Sequence, residues 1–144
     1  MPTVEWLAGF FDGEGTIDLT IVKKTNCYFR LSIVQVHLPT LQAIQNEFGG
    51  AISPKTAPIS SKHRQAWVIY WYSAPAHELL IKIRPFLITK RAEADFILDV
   101  WFNEITKATG GYGKKLAGSE LSLRQELRKE FLTLRGQEYP KEVN

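Results

Sequence analysis

The sequence has little cysteine and no long apolar run, and both shortages narrow the class of protein it encodes. The single cysteine, Cys27, excludes an internal disulfide framework and suits a reducing compartment. No apolar run reaches the length of about 18 residues that a membrane-spanning helix needs. The first residues also lack the basic segment and apolar run of a secretion signal. We therefore expect an intracellular protein that is neither secreted nor embedded in a membrane.

The chain also lacks the motifs of several common enzyme classes. It has no Gly-x-Gly-x-x-Gly dinucleotide motif, no phosphate-binding Gly-Lys-Ser/Thr loop and no Gly-x-Ser-x-Gly nucleophile elbow. The three histidines, His37, His63 and His77, are widely spaced, which is not the pattern of a zinc site. These absences disfavour an α+β enzyme for small molecules, and we expect no small-molecule cofactor.

The composition is that of one globular domain, but its charge is unevenly distributed. Hydrophobic residues make up 44% of the 144 residues, charged residues 23%, and the net charge is +3. Residues 15–92 hold ten Lys or Arg and three Asp or Glu, which is a local charge of +7. Such a segment fits a polyanionic partner or a solvated basic surface, and charge alone does not separate the two.

Hydrophobic periodicity predicts an α+β fold. The predicted elements are helix 3–12, strands 16–24 and 27–37, helix 39–48, strands 51–56 and 64–73, and helices 75–85, 89–107 and 119–135. One antiparallel sheet with helices on one face accommodates this order, and its other face is polar and basic. We expect a single domain over 1–144, with a core of about 3–107 and a C-terminal helical extension of 114–136.

One nonapeptide near the N-terminus combines three unusual features, and it reads Leu7-Ala8-Gly9-Phe10-Phe11-Asp12-Gly13-Glu14-Gly15. Gly9 and Gly13 are four residues apart, so both open one helix face to close approach by another backbone. Asp12 and Glu14 lie at the helix end, where the helix dipole disfavours negative charge. A hard divalent cation would compensate these two acids. Gly15 then turns the chain directly into the next strand.

The nonapeptide resembles the signature of the LAGLIDADG homing endonucleases, and the predicted order matches that family's αββαββα core over residues 3–107. The resemblance implies a saddle-like antiparallel sheet and a metal-dependent double-strand cut in a long pseudo-palindromic DNA site. Because the chain has one signature, it implies a homodimer whose signature helices pack on a two-fold axis. The implied interface consists of Leu7, Ala8, Gly9, Asp12 and Gly13. The resemblance further implies a role in the mobility of an intron or an intein. The protein would then act in the cytoplasm or in an organelle that contains DNA.

The resemblance also implies the catalytic residues. Glu14 and the carbonyl of Gly13 would hold Mg²⁺, with Mn²⁺ or Ca²⁺ as substitutes, and Lys90 would be a basic catalytic residue. A solvated lysine at a helix start is the alternative for Lys90. Gln35 and His37 are candidates for a third catalytic role, although the position that aligns best with the family's water-positioning glutamine is Leu38.

Double-stranded DNA is the implied partner, and the polar sheet face would lie in its major groove. The candidate contact residues are Thr16, Asp18, Thr20, Lys23, Lys24, Arg30, Ser32, Lys55, Lys62, His63, Arg64 and Gln65. Two alternatives stay open, an intron-splicing RNA maturase and a non-cleaving DNA-binding protein on the same scaffold.

Overall fold

The computed structural model describes residues 1–22, 26–55, 64–104 and 118–138. In chain order the elements are α1 (Val4–Glu14), β1 (Gly15–Val22), β2 (Asn26–Gln35), α2 (Leu38–Phe48), β3 (Ala51–Pro54), β4 (Trp67–Tyr72), α3 (Ser73–Ile83), α4 (Arg91–Asp95) and α5 (Gly118–Glu138). A 3₁₀ turn, Arg84–Phe86, links α3 to α4, and a π-helical turn, Phe96–Trp101, continues α4. The predicted αββαββα order and the C-terminal helix are both confirmed.

The four strands form one antiparallel sheet in the order β1-β2-β4-β3. The register places Ile17 beside Leu31 and Leu31 beside Trp71, and all three side chains are buried beneath the helices. Since neighbouring residues of a strand point to opposite faces, the intervening residues form the uncovered face. Asp18 and Arg30 lie side by side there. The predicted division into one dry and one polar face is therefore confirmed.

Helix α1 is longer than predicted, because it passes through Gly13 and ends at Glu14. Thr3 begins it, with its hydroxyl accepting the Trp6 backbone N–H at 3.1 Å. Gly15 ends it in an extended conformation, and a Cβ there would lie 2.3 Å from the Phe11 ring. The sequence thus needs glycine at position 15 so that β1 can leave the helix directly over a buried phenylalanine.

Helix α5 completes the core by packing against α4 and β2, and two of its arginines reach β1, the edge strand of the sheet. It buries Leu127 and Phe131. Arg128 donates from Nε to the Leu19 carbonyl at 2.8 Å, and Arg135 donates to the Ile17 carbonyl. Every second carbonyl of an edge strand has no strand partner, and side chains such as these arginines satisfy groups of this kind. None of the helices in the described ranges is both long and apolar enough to cross a bilayer.

Candidate functional site

The end of the signature helix opens onto a cleft of about 460 Å³ between α1, β1, α4 and α5. Its lining residues, which define the Lys90 cleft, are Asp12, Gly13, Gly15, Thr16, Ile17, Thr89, Lys90, Glu93 and Arg135. The cleft therefore joins residues that are more than 100 positions apart in the sequence. It brings the predicted Lys90 next to the nonapeptide.

Asp12 braces the segment that carries Lys90. Its carboxylate accepts the backbone N–H groups of Ile88, Thr89 and Lys90 at 3.1, 2.9 and 2.8 Å. Partial burial by itself raises the pKa of Asp12, but these hydrogen bonds and the Lys90 charge outweigh it, so the pKa is lowered below 3.8. Asp12 is thus an anion committed to contacts within its own chain.

Lys90 is the N-cap residue of α4, and its side chain returns toward α1. Its ammonium donates to the Asp12 carbonyl oxygen at 2.7 Å, and the residue is half-buried in the cleft wall. This geometry disfavours the alternative of a freely solvated lysine. A fixed cation beside the last turn of the signature helix can stabilise negative charge that develops there.

Glu14 and Gly13 supply oxygen ligands of the type that a hard divalent cation takes. Glu14 is exposed at the end of α1, and it lies between Gly13 and Gly15, which both line the cleft. A carboxylate and a backbone carbonyl fit Mg²⁺ or Ca²⁺ rather than zinc. Within the described ranges no three His, Cys, Asp or Glu side chains cluster closely enough to hold a metal.

Helix α1 presents an open face that differs from the predicted one. Leu7 and Ala8 are 0% exposed in the core of their own chain, so they cannot form the predicted dimer contact. Gly9 and Gly13 are exposed, and a Cβ at either would meet no atom within 4 Å. The helical period puts Trp6 on this face, where it is 44% exposed.

Apolar residues of the 3₁₀ turn and the following loop are exposed near α1. Phe86 is 45% exposed and Ile88 is 86% exposed. The hydrogen bond from the Ile88 N–H to Asp12 fixes this segment beside the signature helix. These exposed residues on and near the signature helix, namely Trp6, Gly9, Gly13, Phe86 and Ile88, are called the open patch, and Gly13 also lines the Lys90 cleft.

The two candidates for a third catalytic role do not line the Lys90 cleft. His37 is exposed at the start of α2, and its Nδ1 lies 2.7 Å from the Thr40 hydroxyl oxygen. Gln35 ends β2 and pairs with Trp67, on the side of the strand that carries the buried Ile33. Since Ile33 pairs with Gly15, the end of β2 lies at the end of the sheet where α1 enters β1, and a catalytic role for Gln35 or His37 stays a prediction.

The predicted DNA-contact residues on β1 and β2 share the uncovered sheet face. Thr16 pairs with Ser32 and Asp18 with Arg30, while Thr20 follows on the same face. Two of these have limited freedom, because Ser32 is only 5% exposed and Asp18 is ion-paired to a residue of α5. The Nε atom of Arg30 is buried and finds no acceptor among the described residues.

The remaining predicted contacts that the structure describes, Lys55, Arg64 and Gln65, lie near the ends of β3 and β4. Lys55 and Arg64 are exposed, and they flank the segment that joins β3 to β4. Gln65 donates to the Lys55 and Ala66 carbonyls at 2.9 and 2.8 Å, so its amide is occupied within this hairpin. Four of the predicted residues lie outside the described ranges, namely Lys23, Lys24, Lys62 and His63.

The sequence reasoning missed an aromatic cluster on the polar face. Tyr72 contacts Tyr28 and Tyr70 edge-on, with ring centroids 5.1 and 5.2 Å apart. Burial and the Tyr72 hydroxyl raise the pKa of Tyr28. The signal was available, because β4 alternates: Ile69 and Trp71 are buried, so the tyrosines between and after them face the other way.

Comparison with known proteins supports the nonapeptide as a family signature. The family model for the LAGLIDADG endonucleases matches residues 7–103. A probable intron-encoded endonuclease aI2 from Debaryomyces hansenii is 35% identical over 60 residues, which is 42% of this chain. The matched segment spans only 9% of the length of that relative.

Solved structures show the same fold. The homing endonuclease I-CvuI, in complex with its target in the presence of Ca, superposes with a TM-score of 0.70 at 23% identity, over 91% of this chain and 80% of that one. The archaeal intron-encoded homing endonuclease I-Vdi141I, complexed with DNA, gives 0.68 at 20% identity, over 98% and 86%. The family model matches two thirds of the sequence, and the fold agrees with it. The chain therefore belongs to the LAGLIDADG endonuclease family.

Proposed function

We propose that this protein is a homodimeric homing endonuclease that makes a metal-dependent double-strand cut in a long, pseudo-palindromic DNA site. The observation that carries the proposal is the end of α1. There an exposed Glu14 adjoins the cleft that contains Lys90, and the neighbouring helix face is open. The family match supports the same activity, and the D. hansenii relative supports an origin in an intervening sequence.

The open patch supports dimerisation about a two-fold axis. Gly9 and Gly13 leave room for a second backbone, and the surrounding Trp6, Phe86 and Ile88 are apolar side chains exposed to water. A second copy of the same patch would cover them, since a two-fold contact joins identical surfaces. This arrangement would bring the two Glu14 carboxylates near the axis, and each would serve one strand.

The Lys90 cleft and Glu14 beside it in the sequence would together supply the groups for phosphodiester hydrolysis. Glu14 and the Gly13 carbonyl would hold Mg²⁺, and the second chain, DNA phosphates and water would complete the ligands. The bound metal supplies activation of water and charge neutralisation of the leaving oxygen. Lys90, which Asp12 holds in place, stabilises the negative charge that develops on the phosphate.

The polar sheet face provides a surface for the DNA. Arg30 pairs with Tyr72 of the tyrosine cluster, and its guanidinium would contact a base or a phosphate. Lys55 and Arg64 extend the basic surface at the ends of the strands. Bases in the major groove offer the acceptors that such residues contact.

A randomised duplex library tests the proposal. The protein is incubated with the library and Mg²⁺, and the cut ends are sequenced. We expect one long, nearly symmetric site with staggered ends. Glu14→Gln should bind this site and leave it uncut, whereas Glu47→Gln, an exposed glutamate of α2 outside the cleft, should cut normally.

Two results would change the assignment. Wild-type protein that binds duplex DNA with Mg²⁺ and leaves it intact would favour a non-cleaving DNA-binding protein. Tighter binding to structured RNA than to any duplex would favour a maturase. Undiminished cutting by Glu14→Gln would remove the residue on which the mechanism depends.

A further inference from the structure

Arg135 of α5 connects three parts of the Lys90 cleft. Its Nε donates to the Glu93 carboxylate at 2.9 Å, and its Nη1 lies 3.3 Å from the Asp18 carboxylate. Its Nη2 donates to the Ile17 carbonyl. All three guanidinium nitrogens are therefore engaged by β1 and α4, while Phe131 of α5 packs against the guanidinium at 4.8 Å.

Glu93, the partner of Arg135 in α4, is buried, so its charge needs compensation from groups such as the Arg135 guanidinium. Glu93 is 3% exposed, and a buried carboxylate is stable only when cations or hydrogen bonds compensate its charge. Glu93 lies three residues after Lys90, in the first turn of α4. Holding Glu93 therefore holds the turn that carries Lys90.

Two acidic residues, Asp12 and Glu93, line the cleft together with Lys90. The Lys90 ammonium now donates to the Asp12 carbonyl at the end of the signature helix. Glu93 follows Lys90 by three residues in the first turn of α4, and residues three apart on a helix are neighbours. If Glu93 lost the Arg135 guanidinium, the Lys90 ammonium would be the cation best placed to replace it.

We propose that Arg135 is a positioning residue: by engaging Glu93 and Asp18, it keeps the Lys90 ammonium beside Asp12 and directed at the reacting phosphate. The proposal rests on the proposed endonuclease function for its kinetic consequence, but not for its structural one. It also assigns the C-terminal helix a role in the cleft beyond core packing. Because its nitrogens are occupied, Arg135 should not contribute a phosphate contact of its own.

Arg135→Gln tests this role, with Arg128→Gln as the matched control. Arg128 also ties α5 to β1, through the Leu19 carbonyl at 2.8 Å, but it does not line the cleft. We expect single-turnover cleavage to fall about 10- to 100-fold in Arg135→Gln, as when outer partners of metal-site groups are removed. The dissociation constant for DNA and its salt dependence should not change, and Arg128→Gln should cleave at the wild-type rate.

A second substitution separates positioning from simple loss of structure. Adding Glu93→Gln to Arg135→Gln removes the acid that would capture Lys90, so cleavage should recover relative to the single variant. Arg135→Lys should retain part of the activity. Equal losses of cleavage in the Arg128 and Arg135 variants, or no recovery in the double variant, would overturn the proposal. A salt slope lowered by about one would instead identify a phosphate contact.

A crystal structure of Arg135→Gln without DNA tests the proposal even if the wild-type protein proves not to cut. We expect the Lys90 ammonium to leave the Asp12 carbonyl, 2.7 Å away in the wild-type chain, and to pair with Glu93. An unmoved Lys90 would overturn the proposal and would leave the endonuclease function unaffected.

Discussion

Gly9→Ala should strengthen the folding of the single chain while it weakens the dimer. Gly9 is exposed on the open face of α1, and an added Cβ would meet no atom of its own chain within 4 Å. Alanine is favoured over glycine in a helix interior by about 1 kcal/mol, so the free energy of unfolding of the monomer should rise by about that amount.

The same methyl group is predicted to clash in the dimer. If two copies of α1 pack through their glycines, each dimer gains two methyl groups in a close contact. Overpacking costs about 1–3 kcal/mol per site, so the dimer should lose about 2–6 kcal/mol. This corresponds to a dissociation constant raised about 30-fold or more.

Gly15→Ala is the matched control, because its added Cβ would lie 2.3 Å from the ring of buried Phe11. This variant should lose about 1–3 kcal/mol of monomer stability from overpacking. Sedimentation velocity over a concentration series gives the dimer constant, and urea unfolding at monomeric concentrations gives the stability. A Gly9→Ala protein that dimerises as tightly as wild type would refute packing through this face of α1.

Three further predictions test other parts of the structure. Because the pKa of Asp12 is lowered in the folded state, its stabilising contribution is complete above the unfolded value of 3.8 and is lost as the pH falls through the folded value. Urea unfolding should therefore show Asp12→Asn less stable than wild type at pH 6, with the difference shrinking below pH 3.8; a constant difference would contradict this. Phe131→Ala should cost about 3–5 kcal/mol if α5 belongs to a single cooperative domain, and a separate melting transition for α5 in calorimetry would contradict it. Lys55→Ala and Arg64→Ala should each lower the salt slope of DNA binding by about one, and unchanged slopes in a titration would remove them from the DNA surface.

Local patterns in the sequence predict the elements and the sheet faces well. The alternating pattern of β1 predicts that Ile17 faces the core and that Asp18 faces the uncovered side of the sheet. The strand register and the burial of Ile17 confirm both assignments. The signature helix is harder, because apolar residues lie on both of its faces. Leu7 and Ala8 were assigned to the dimer contact, yet with Phe11 they follow the three-to-four spacing of a core stripe.

Contacts between distant segments account for what the sequence did not reveal. Lys90 was identified through the family resemblance, but its bond to Asp12 joins residues 78 positions apart. Arg135 donates a hydrogen bond to the Ile17 carbonyl, 118 positions away in the sequence. This contact depends on how α5 packs against the rest of the domain. From the sequence alone, Arg135 would be taken for a solvated arginine, because the helix around it is rich in charged residues.

The most direct test of the central claim uses mixed dimers with one wild-type chain and one Glu14→Gln chain, purified through two different affinity tags. On a supercoiled plasmid carrying the selected site, the account predicts nicking of a single strand, because each chain would supply the carboxylate for one strand. Linear product at the wild-type rate, or intact plasmid despite bound protein, would contradict the claim that two Glu14 residues divide the cut between them.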